Sequence, residues 1–122
     1  MSEEFQKVAR QEIHSELESL GNILVNCTTD EKIHLKSEEI EKHMHNIKGL
    51  APMIGFENMG DLARISDVIV KHIIRNGQLS GSHMIISEAI LNMKNIFNKN
   101  SEIDTIGFAS KAREKLPGIS GI

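Results

Sequence analysis

Apolar residues along this chain recur at intervals of three and four, with no stretch of strand-type alternation. That pattern belongs to helices with one buried stripe and predicts an all-α fold. The first stripe, over residues 3 to 26, is Phe5, Val8, Ile13, Leu17, Leu20 and Leu24, with charged and amide side chains between. Thr28, with Glu31 three residues on, reads as a capping box that opens a second helix; Ser37 offers a later start. In that helix Ile40, Met44, Ile47, Ala51 and Ile54 follow one another at 4, 3, 4 and 3, a bundle seam. Gly55 ends it. Pro52 removes a backbone donor and crowds the carbonyl of Lys48, so the last turn is expected to kink or loosen.

Asn58 and Asp61 mark the start of a third helix with Leu62, Ile65, Ile69 and Ile73 inward, stopped by Asn76-Gly77. Ser80-Gly81-Ser82 opens a fourth, whose inner face is Ile86, Ala89, Ile90, Met93, Ile96 and Phe97. After a polar break at residues 98 to 101, the spacing allows a short fifth helix over 104 to 116, and the tail from 119 to 122 is expected to fray. Four amphipathic helices of about 20 residues with short connections predict an antiparallel up-and-down four-helix bundle. Residues 1 to 122 form one domain, with its core over 3 to 100 and a C-terminal helix and tail over 101 to 122.

Composition narrows the function. Charged residues are 25% and the net charge is −3 with the signs interspersed, so no basic surface for nucleic acid is expected. Four Phe and no Trp or Tyr give little to stack bases on. Apolar runs are too short for a membrane span, and the acidic start does not resemble a secretory signal. Cys27 is the only cysteine, so no internal disulfide can form. A cytoplasmic setting is expected. Neither a Gly-rich phosphate loop nor a Ser-His-Asp pattern is present, so the chain has no ATP site of its own.

The most informative stretch is His45-Asn46-Ile47-Lys48-Gly49, with Gly55-Phe56 beyond it. At ~100° per residue His45 falls about 160° from Ile47, on the outside of the bundle. Its neighbours on that face are Glu38, Glu41, Lys42, Lys48, Gly49 and Pro52. An exposed neutral imidazole is a nucleophile that can carry a phosphoryl group, and a lysine one turn away supplies charge for its oxygens. Glycine and proline leave room for a second protein to come close. Six histidines raise the question of a metal, but His43 and His45 point about 200° apart and no His-x-x-x-His pair exists, so no metal site is expected.

The same residues resemble the signature of histidine phosphotransfer (HPt) domains. The run from His45 to Phe56 looks most like the N-terminal phosphoacceptor domain of chemotaxis-type (CheA) histidine kinases. The resemblance implies a helical bundle in which His45 is phosphorylated on Nε2, Lys48 assists the phosphoryl group and Gly49 clears space for a docking response regulator. Lys42, Pro52 and Met53 would complete the docking patch. It implies a cytoplasmic, monomeric phosphocarrier in a two-component phosphorelay. A histidine kinase and a response regulator receiver domain would be its partners, with no intrinsic cofactor and Mg²⁺ on the regulator. In chemotaxis-type members an acid on the third helix orients the histidine, with a second polar residue three positions before it. Asp67 and Arg64 stand there, where the family favours Glu and His. The alternative is a helical-bundle adaptor that binds a signalling partner without carrying phosphate.

Overall fold

The computed structural model describes residues 2–122, and among them every regular element is helical. The helices are α1 (Glu3–Asn26), α2 (Asp30–Leu35), α3 (Ser37–Leu50), α4 (Glu57–Asn76), α5 (Ser82–Lys99) and α6 (Thr105–Lys115), with a 3-10 turn over Ala51–Ile54 between α3 and α4. The long helices pack in a closed ring, α1 on α3, α3 on α4, α4 on α5 and α5 back on α1, while α6 leans on α4. Consecutive long helices are therefore neighbours in the ring.

Most of the predicted stripe residues form the core; Val8 does not, being 54% exposed while Ala9 beside it is buried. Ile13, Leu17 and Leu20 of α1 meet Ile40, Met44 and Ile47 of α3, Leu62, Ile65, Ile69 and Ile73 of α4, and Ile86, Ala89, Ile90 and Met93 of α5, all buried. Several ends lie where local chemistry puts them. Ser2 caps α1 through the amide of Phe5, and Asp104 caps α6 through the amide of Gly107. Gly77 closes α4.

Three further expectations need correction. The second helix is two: Thr29, not Thr28, caps α2 through the Lys32 amide, and the chain breaks at Lys36 before α3 begins at Ser37. The Ser37 hydroxyl turns back to donate to the His34 carbonyl at 2.8 Å, which stabilises that break. The Pro52 turn does loosen, into 3-10 geometry, and ends at Gly55 with φ +90, a left-handed conformation that suits glycine. Helix α4 starts at Glu57 with no side-chain cap, one residue before the expected Asn58.

The tail is the third correction. Arg64 Nη1 donates to the Gly121 carbonyl and Arg113 Nη1 to the Ile122 carbonyl, each at 3.0 Å, and Ile119 and Ile122 pack on the core. Two guanidinium groups tie down a segment whose composition alone suggests fraying.

Candidate functional site

The site is built where α3 and α4 lie side by side. Their pairing brings the outer edge of α3, with Glu41, His45 and Lys48, against Asp67 and Lys71 of α4. His45 is exposed on that edge, as the helical angle predicts. Behind it Met44 and Ile47 are fully buried, so the backbone carrying His45 is fixed by the core.

Asp67 is the pivot. It is buried, with a side chain only 2% exposed, not on the polar surface of α4 as its helical position suggests. Its Oδ2 accepts from Lys48 Nζ at 2.8 Å and lies 3.1 Å from Lys71 Nζ. Lys71 also reaches Glu41 Oε1, at 3.8 Å. Asp67 Oδ1 is buried with no hydrogen-bond partner among the described residues. Burial pushes the Asp67 carboxyl up, but hydrogen bonds from Lys48 and Lys71, together with their charges, outweigh it and hold the group below its ordinary value. The carboxylate is thus ionised at neutral pH and fixes two ammonium groups from two helices.

One ligand atom each of Glu41, His45 and Asp67 lies within 4.8 Å of the other two. That spacing suits a divalent cation, but Lys48 and Lys71 already balance the two carboxylates. A metal would place further positive charge beside two ammonium groups.

The other residues singled out in the sequence fall as follows. Gly49 is exposed, and a Cβ built on it would meet nothing within 4 Å outside its own helical turn. The fold itself has no use for a glycine there. Lys42, Pro52 and Met53 are exposed on α3 and the following turn. Arg64 is committed to the Gly121 carbonyl, so its guanidinium serves the tail. Asp67 makes its hydrogen bonds to lysine, and none to the His45 ring is present.

Lys71 and Glu41 complete the site. Lys71 follows Asp67 by four residues and Glu41 precedes His45 by four, so each i,i+4 spacing was a readable signal. The other histidine of α3 has a different task. His43 Nδ1 lies 2.6 Å from Glu16 Oε2, and Asn46 Nδ2 donates to Glu16 Oε1 at 3.3 Å. Glu16 is a buried acid of α1, so this network ties α3 to α1 behind the site.

None of the five main clefts among the described residues is lined by His45. No helix among them is long and apolar enough to cross a membrane. No family model, curated protein or solved structure matches this chain. The residues themselves carry the functional reading: an exposed imidazole on the edge of α3, with Lys48 and Lys71 both paired to the buried Asp67 of α4.

Proposed function

We propose that this chain is a histidine phosphotransfer domain that carries a phosphoryl group on His45 in a two-component phosphorelay. The observation that carries the reading is the pairing of an exposed imidazole with a lysine, Lys48, held one helical turn away by a buried carboxylate. The imidazole is free to be approached, and the cation beside it is positioned before any phosphoryl group arrives, which is the kind of preorganisation phosphoryl transfer uses.

The open setting of His45 favours a macromolecular donor and acceptor. A small-molecule enzyme encloses its substrate in a cleft; here the enclosing surface would be the partner's. In the transfer, the lone pair of His45 Nε2 forms a bond to phosphorus. The bond from phosphorus to the donor oxygen breaks, and the electron pair leaves with that oxygen. The donor is a kinase-bound nucleotide or the aspartyl phosphate of a response regulator. The reverse step hands the group to a regulator carboxylate, with Mg²⁺ held by the regulator. Gly49, exposed and without an internal role, leaves the partner's backbone room to approach, and Lys42, Pro52 and Met53 border the same face. A monomer in the cytoplasm, with a chemotaxis-type kinase as its source of phosphate, is the setting this reading implies.

Asp67 enters differently from the acid of chemotaxis-type domains. It positions Lys48 and not the imidazole, so the tautomer of His45 is left to the solvent and the partner. The test is phosphotransfer from candidate kinases, with response regulators as acceptors, for the wild type and His45→Gln. The expected result is an acid-labile, base-stable label on the wild type that passes to a regulator, and none on the variant. If no donor labels the protein and a regulator binds both forms equally, the adaptor role takes its place.

A further inference from the structure

We propose that Lys71 is a second phosphoryl-binding cation at His45, and that Asp67 is the positioning residue that delivers it. This rests on His45 being the phosphoryl carrier. The carboxylates of Glu41 and Asp67 are matched by the ammonium groups of Lys48 and Lys71, and Glu38 and Lys42, of opposite sign, border the same face of α3, so the side-chain charges around the imidazole balance. A phosphoryl group adds about −1.5 to −2 at neutral pH. It would sit beside two carboxylates that each place an oxygen within 4.8 Å of an imidazole nitrogen. Lys48 alone cannot balance that charge.

Lys71 is placed to do so. It bridges the two carboxylates that flank the imidazole, at 3.1 Å to Asp67 Oδ2 and 3.8 Å to Glu41 Oε1. The Glu41 contact is long and solvent-exposed at one end, with Lys71 41% exposed, so little is lost when the ammonium turns to a phosphoryl oxygen. The flexible four-carbon stem allows the movement. Asp67 cannot follow, because it is buried. It serves as the fixed anchor from which both lysines pivot. Lys48 comes from α3 and Lys71 from α4, so together they would grip the phosphoryl oxygens from two sides.

The chemistry can be read without any partner protein. Phosphoramidate is a small-molecule donor: its phosphorus–nitrogen bond breaks as the bond to the imidazole nitrogen forms, and the nitrogen leaves with the electron pair and a proton as ammonia. The full chain, Lys71→Gln, Lys71→Arg and Lys48→Gln would each be treated with it. The phosphohistidine resonance that is absent in His45→Gln would then be followed by ³¹P NMR against pH. A nearby cation disfavours uptake of a proton by the phosphohistidine and so lowers the pKa at which its resonance titrates. Lys71→Gln is expected to raise that pKa by about half to one unit, similar to Lys48→Gln, and Lys71→Arg to restore it. A Lys71→Gln titration superimposable on the wild type, in a protein with an unchanged helical spectrum, would overturn the proposal. So would finding no resonance that depends on His45. Failure of kinase or regulator transfer, with the Lys71 shift present, would instead remove the phosphorelay reading and leave the cation pair standing.

Discussion

Gly49 and Gly60 ask opposite things of a methyl group. A Cβ at Gly60 would lie 2.6 Å from Cγ of Pro52, an atom of a rigid ring that cannot swing aside. Gly60→Ala should therefore lose about 1–3 kcal/mol of stability through overpacking. At Gly49 the same methyl meets nothing, and alanine favours the helix over glycine by up to about 1 kcal/mol. Gly49→Ala should thus raise the melting temperature while slowing transfer to a regulator several-fold. Melting curves and transfer rates on the two variants decide this, and a Gly49→Ala protein with unchanged transfer would remove the docking role. Asp67 adds a pH dependence. Its folded pKa is lowered, so its contribution is complete above the ordinary carboxylate value near pH 4 and is lost as pH falls through the lower folded value. Asp67→Asn should lose about 1–3 kcal/mol at pH 7, where the lysines lose their anchor, and converge on the wild type in acid. Denaturant unfolding of both forms between pH 7 and pH 2 measures it.

At the scale of elements, one long-range tie joins α2 to α5. Asp30, the first residue of α2, accepts from the amides of Gly81 at 2.9 Å and His83 at 2.8 Å, and so caps α5 from across the fold. Burial pushes its carboxyl up, but the bonds from His83, Gly81 and Ser82 hold it below its ordinary value. Asp30→Ala should cost about 1–2 kcal/mol and fray the start of α5. Loss of protection at amides 81 to 83 in hydrogen exchange would register it, and unchanged protection there would remove the cap. This cap marks a boundary of what the sequence could tell. The ends of α1 and α6 and the stop at Gly77 follow from neighbouring residues, and the bundle stripes follow from spacing. The start of α5 is secured by a residue more than fifty positions away, which no local pattern reports. The site divides in the same way. The outward face of His45 follows from one helix's geometry. The burial of Asp67 does not, because a carboxylate reads as surface until two lysines, one from a separate helix, are seen to neutralise it.

At the scale of the molecule, α3 is held from both sides. His43 and Asn46 bind Glu16 of α1, and Lys48 binds Asp67 of α4, so polar ties reach both neighbours of the helix. His45 stands between these ties on a helix whose other face is core. In the proposed phosphotransfer role such a support would hold the imidazole steady against a partner's reacting atom, where small displacements are costly to transfer rates. The anchored tail extends the same economy: Arg64 gives up the site and secures the outer face of α4 instead.

The corner after α1 holds one more consequence. Cys27 is 1% exposed, its thiol turned toward the Lys32 carbonyl at 3.6 Å, and burial, the largest influence on it, pushes that thiol up. As the chain's single sulfhydryl, it is a built-in clock. An alkylating reagent can reach it only when the turn between α1 and α2 opens, so the labelling rate counts those openings under fully native conditions. Modification should be slower than that of a free thiol by orders of magnitude, and Asp30→Ala, which loosens α2 from α5, should quicken it.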